Sequence, residues 1–123
     1  MRTLTRKYTD LEYLKECTRN NIPMMLETIQ VFLDTVPALV DRIRRGLEKN
    51  DWEEIRSAAH ALIPAFGIMG MDHSLEKLAR TIYDYAGKRT YPGLVRELLQ
   101  RIDAACAQAC EELSEEAAKM KAT

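Results

Sequence analysis

The stretch Trp52-Glu53-Glu54-Ile55-Arg56-Ser57-Ala58-Ala59-His60-Ala61-Leu62-Ile63-Pro64-Ala65-Phe66-Gly67-Ile68-Met69 decides the fold. Its apolar residues Trp52, Ile55, Ala59, Leu62, Phe66 and Met69 recur at steps of three and four, the period of a helix with one buried face. The segment before it repeats the pattern through Ile22, Met25, Leu26, Ile29, Phe32, Leu33, Val36, Leu39, Val40, Ile43 and Leu47. Pro37 interrupts that stripe, yet the phase continues across it, so one bent helix is expected rather than two. Leu75, Leu78, Ile82 and Tyr85 or Ala86 give another inner face, and Leu94, Val95, Leu98, Ile102, Ala105, Ala109 and Leu113 a last one. No segment alternates apolar and polar residues for long, so helices are the only regular element expected.

Local signals set the boundaries. Thr9 and Glu12 read as a capping box with Tyr8 and Tyr13 as a hydrophobic staple, Asn21 as a cap, Asn50 and Glu53 as a second capping pair, and Asp72 as the cap of the fourth helix. Gly87 is expected to stop that helix, and Thr90 with Pro92 to begin the last. Helices are therefore expected over about 10–18, 22–49, 51–68, 72–87 and 91–118. The links between the last four are short, which makes sequential helices antiparallel neighbours. The expected fold is all-α: an antiparallel up-down-up-down four-helix bundle with a short N-terminal capping helix, in one domain spanning residues 1–123.

Composition narrows the function classes. Lys and Arg total 18 against 19 Asp and Glu, a formal net charge of −1, which gives neither nucleic acid nor a membrane surface the clustered basic excess it needs. Arg2, Arg6 and Lys7 read as a solvated terminus, and Arg44 and Arg45 as a solvated face. The three cysteines form no C-x-x-C pair; Cys106 and Cys110, one turn apart, read as small buried hydrophobes before a soft-metal site. Met24, Met25, Met69 and Met71 read as core filler. With neither a signal-peptide h-region nor a long uninterrupted apolar run, the expected location is cytoplasmic. No long apolar face is left over, so a monomer is expected.

Phosphate-cradling loops of the P-loop or dinucleotide type are absent, and neither His60 nor His73 carries the Glu three residues earlier that bundle di-metal sites use. No metal and no cofactor are expected. His73, in the first turn of its helix, reads as a surface residue, because a helix N-terminus disfavours an imidazolium. His60 sits about 100° round from Ala59, on the flank of its helix, and should be at least partly exposed. Arg56 lies one turn before it, Ile63 and Pro64 one turn after, and Gly67 a turn further on. Small or flat neighbours allow another protein to approach closely. Pro64 cannot donate to the carbonyl of His60, so the helix should be distorted there. On these residues alone a plain surface histidine accounts for the position more simply than a functional one.

The segment resembles the histidine-containing phosphotransfer (HPt) family, whose motif runs roughly His-x-Leu-Lys-Gly-Ser with a Gly near the helix end. His60, Leu62 and Gly70 match that pattern, and Asp51 with Trp52 and the Pro37-bearing helix also look like the family, over a stretch from about Tyr8 to the last helix. The resemblance implies a phosphoryl carrier without ATP-dependent activity of its own. In that picture neutral His60 takes the group from, and returns it to, a receiver-domain aspartate, and the receiver supplies Mg²⁺. The partner implied is the receiver domain of a response regulator or hybrid kinase. Three positions depart from the motif: Ile63 stands where the family has the lysine that offsets phosphoryl charge, Pro64 where it has glycine, and Ala65 where it has serine. Arg56 is the preferred substitute cation, with Lys77 or Arg80 of the next helix as others, although a solvated arginine fits Arg56 equally. Two alternatives stand beside transfer. One is a degenerate bundle of this family that docks a receiver or other signalling protein without transfer, and the other an unrelated helical adaptor.

Overall fold

The computed structural model describes residues 7–122, and Arg2 and Arg6 of the basic N-terminal cluster lie outside them. Lys7 is well exposed, 4.0 Å from Glu116. Five helices follow in order: α1 (Glu12–Thr18), α2 (Ile22–Lys49), α3 (Trp52–Ile68), α4 (His73–Lys88) and α5 (Pro92–Ala122), with no strand among the described residues. The all-α expectation and the five segments agree with this. α5 continues four residues past its expected end, and α1 begins two residues later than expected.

The inner stripes form one core. Ile29, Val36 and Ile43 of α2, Ile55, Ala59, Leu62 and Phe66 of α3, Ile82 of α4, and Val95, Ile102, Ala109 and Leu113 of α5 are all fully buried. α3 packs extensively on both α4 and α2, and α5 covers α2 and α4. By length and composition α2 could also cross a bilayer, but nine of its residues, from Met25 to Leu47, are buried among the other helices. It runs through Pro37 without a break. The stripes are less complete at their edges: Ile22 and Leu94 are exposed, whereas Leu99, outside the expected stripe, is buried, and Met24, which lies off the stripe, is exposed too. Met24 is thus not core filler, while Met25, Met69 and Met71 are.

Several expected caps are replaced. Asn21 accepts from the Met24 amide and Asp72 from the Ser74 amide, as expected. Asn50, however, is the left-handed C-cap of α2 (φ 55°), and Asp51 rather than Asn50 caps α3 by accepting from the Glu54 amide. α4 passes through Gly87 and ends at Arg89, itself left-handed at φ 53°. A Cβ on Gly46 would come within 2.7 Å of Ile55 Cγ1, so this glycine allows the end of α2 to close against α3.

The Thr9–Glu12 capping box does not form. Thr9 donates from both its amide and its hydroxyl to Glu112 on α5, at 2.9 and 2.8 Å, and Tyr8 donates its amide to the same carboxylate. The Glu12 amide goes to Asp10 Oδ1 instead. Tyr8 and Tyr13, the expected staple, are both exposed. The Asp10 amide donates to the Met69 carbonyl at 2.9 Å, so residues 8–10 strap the α3–α4 turn to α5. Gly70 in that turn is left-handed (φ 61°), and a Cβ on it would sit 2.3 Å from the Asp10 carbonyl oxygen.

Candidate functional site

His60 projects from the middle of α3 and is exposed, while its sequence neighbours Ala58, Ala59 and Leu62 are completely buried. The helix thus presents two faces of different character. The buried strip fixes its position, and the strip Arg56, His60, Ile63, Gly67, at steps of four, three and four, runs along the outside. Pro64 is exposed and lies within α3, and because it lacks an N–H the His60 carbonyl is without its α-helical donor. Ile63 is half-buried and Gly67 exposed.

The matching strip on α4 is Glu76, Arg80, Tyr83 and Gly87. Three contacts fix how the strips meet. Positions 56 and 87 meet where a Cβ on Gly87 would lie 3.5 Å from Arg56 Nε. At 60 and 83 the rings of His60 and Tyr83 have centroids 5.5 Å apart, tilted by 42°. At 67 and 76 a Cβ on Gly67 would lie 3.5 Å from Glu76 Oε1. The numbers rise on one helix as they fall on the other, so α3 and α4 run in opposite directions along an open seam with His60 near its middle.

Tyr83 ties this seam together. Arg56 Nη2 donates to its hydroxyl at 2.7 Å, and the Arg56 guanidinium carbon lies 4.5 Å from its ring centroid, within cation–π range. One phenol therefore contacts both the imidazole and the neighbouring cation. Of the three cations expected near His60, the structure brings Arg56 to it through this shared ring. Arg80 falls on the same α4 strip, one turn from Tyr83, and Lys77 falls one position off it; both are exposed and no hydrogen bond or ion pair joins either to His60. His73 is a surface residue, 4.0 Å from Glu76.

The sequence reading missed Tyr83, though a signal for it existed. In two antiparallel helices joined by a short link, residues equidistant from the link face each other. Reflecting His60 through the turn at Gly70–Asp72 lands on position 82 or thereabouts, and Tyr83 is the ring-bearing residue there.

Elsewhere, burial, with a smaller contribution from Cys110 and Asp103, pushes the Cys106 thiol up to about 12. Cys110 is half-buried and Cys17 exposed. Among the described residues no three His, Cys, Asp or Glu side chains gather as a metal site.

The family model of the Hpt domain matches residues 27–122, which includes α3 with His60, the facing helix α4 and all of α5. No curated protein and no solved structure matches the chain. Hpt domains are phosphocarrier modules of two-component signalling that interact with receiver domains, and as a family they are generally soluble. Matched over most of its length, the chain belongs to the Hpt domain family.

Proposed function

We propose that this chain is a phosphorelay carrier in which His60 accepts a phosphoryl group from one receiver-domain aspartate and donates it to another. The observation that carries the reading is the exposed imidazole at the centre of the α3–α4 seam, with the Arg56 cation held beside it on the same ring of Tyr83. The bare nitrogen of the imidazole attacks phosphorus in line. The N–P bond forms as the P–O bond breaks, the bonding pair returns to the aspartate carboxylate, and the ring keeps its proton on the other nitrogen. Donation is the reverse.

This chain supplies the nucleophile, its position and one cation, and the receiver supplies the rest of the electrostatic stabilisation. A packed helix suits that work, because a side chain whose backbone is fixed loses little further freedom on reaching attack geometry. Gly67 and the flat face of Pro64 leave room beside His60 for the receiver's loops. No ATP-dependent activity belongs to the chain in this reading. The wider proposal is a single monomeric, cytoplasmic domain folded as an up-down-up-down bundle under a short capping helix, with neither nucleic acid nor membrane as partner. The opposed directions of α3 and α4 support that topology, as do the short links.

A second reading has specific support: Ile63, Pro64 and Ala65 replace the motif's lysine, glycine and serine, as they would in a bundle that docks a receiver or other signalling protein without transfer. One experiment separates the two. The chain and its His60→Gln variant are incubated with a radiolabelled phosphoreceiver. Acid-labile label on the wild type alone supports transfer, binding without label supports docking, and equal label on both removes His60 from the account.

A further inference from the structure

Three of the nine arginines among the described residues are neutralised by a carboxylate. Arg42 pairs with Glu54, Arg44 with Asp41 and Asp103, and Arg45 with Asp41. Arg56 is different. Its hydrogen-bond partner is the neutral phenol of Tyr83, at 2.7 Å, and among the described residues no carboxylate pairs with it. A cation held by a phenol keeps its whole charge and its other N–H groups for an incoming anion, whereas one held by a carboxylate has largely spent both.

The placement is also specific. A surface arginine is long and samples many rotamers unless something fixes it. Here the hydrogen bond to the hydroxyl, the stacking at 4.5 Å from the ring centroid, and the bare backbone of Gly87 beside Nε together fix the guanidinium against the ring that His60 also contacts. The other groups facing this part of the seam are Arg80, also cationic, and Glu76 at the far end near Gly67.

We infer that Tyr83 is a positioning residue for phosphoryl transfer: it holds Arg56 unneutralised beside His60, so that this guanidinium takes up the charge role of the absent motif lysine. The inference rests on the phosphotransfer reading above. Tyr83 itself touches neither the phosphorus nor the leaving oxygen. Its effect passes through Arg56, and that makes it testable as a coupling.

Transfer from a phosphorylated receiver is followed by rapid quench at increasing concentrations of this protein, for the wild type, Tyr83→Phe, Arg56→Gln and the double variant. Tyr83→Phe keeps the ring and loses the acceptor, so the rate at saturation should fall roughly three- to tenfold, with the half-saturating concentration and the melting temperature unchanged. Arg56→Gln should be at least as slow, and adding Tyr83→Phe to it should slow it no further. Effects that multiply in the double variant, a change confined to half-saturation, or a wild-type rate in Tyr83→Phe would each overturn the inference. The holding of Arg56 is read separately from transfer by the NMR signal of its Nη2 protons, which should be sharp and slow to exchange in the wild type and lost in Tyr83→Phe. A sharp signal that survives the substitution overturns the positioning. A signal lost as expected, in a protein that never takes label, overturns the phosphotransfer reading and with it the catalytic role of the pair, leaving the contact as a structural one.

Discussion

Two glycines three residues apart should respond to alanine with opposite signs. Gly70 is left-handed at φ 61°, which costs an L-residue about 1–2 kcal/mol. Its Cβ would also stand 2.3 Å from the Asp10 carbonyl oxygen, so the strap has to move and the 2.9 Å hydrogen bond from the Asp10 amide to Met69 is weakened or lost, at about 0.5–1.5 kcal/mol. Stiffening of the unfolded chain returns about 0.4–1 kcal/mol. The net for Gly70→Ala is a loss of about 2 kcal/mol. Gly67 sits inside α3, and its Cβ would meet nothing nearer than Glu76 Oε1 at 3.5 Å, an ordinary contact. Gly67→Ala should therefore stabilise by about 0.5–1 kcal/mol, the usual helix-propensity gain. Urea melts read both, and with a slope of about 1.5–2 kcal/mol/M the two midpoints should differ by roughly 1.5 M. Hydrogen exchange at Thr9 and Asp10 should accelerate in Gly70→Ala alone. Equal midpoints, or a Gly70→Ala protein as stable as wild type, would refute the account of the strap.

Other outcomes follow from the same geometry. Burial pushes the Glu112 carboxyl up, but hydrogen bonds from Tyr8, Thr9 and Gln108 outweigh it and the net direction is down; the strap's contribution should be full above the ordinary carboxylate range and fade as pH falls through the lowered folded value. Glu112→Gln should flatten that acid limb, as pH-dependent melts would show. Gly46→Ala places a methyl 2.7 Å from Ile55 Cγ1 and 3.2 Å from the Asp51 carbonyl, and should cost about 1–3 kcal/mol in a urea melt. A thiol reagent at neutral pH should label exposed Cys17 quickly, and Cys106, its thiol pushed up to about 12, only on unfolding, which mass spectrometry of timed samples can count.

The helices and most of their inner faces were legible because burial imposes a period that any window of a few turns displays. Ile55, Ala59, Leu62 and Phe66 are buried where the stripe places them, and the same logic put His60 on the outside. What escaped was decided by partners distant in sequence. Thr9 has a good local partner in Glu12 but bonds to Glu112, because the folded chain brings a carboxylate that collects four amide or hydroxyl donors at once. Asn50 looks like an N-cap, yet it tolerates the left-handed conformation that ends α2, and Asp51 takes the cap. Gly87 looks like a stop, yet α4 uses it as a flat place against Arg56 and stops at Arg89. Tyr83 carries no local mark at all; its importance depends on the register between two helices.

That register also bears on the motif's missing lysine. On a helix, positions four before and three after a residue are both its neighbours, so Arg56 and the lysine position now occupied by Ile63 are equally close to His60 in principle. They are not equivalent in direction. Side chains lean towards the helix N-terminus, so a lysine at position 63 would lean back over His60 unaided, whereas an arginine at position 56 leans away from it. A cation moved to the earlier turn therefore needs a second helix to turn it round, and Tyr83, opposite His60 on the antiparallel neighbour, has the reach and the hydroxyl to do so. In the proposed carrier, loss of the lysine and the presence of a tyrosine at position 83 are two halves of one arrangement. Restoring the lysine should then make the tyrosine dispensable: Ile63→Lys should bring Tyr83→Phe back to within about twofold of the wild-type transfer rate, a rescue readable by the same rapid-quench measurement. Without that rescue, the direction argument fails even if Tyr83→Phe alone is slow.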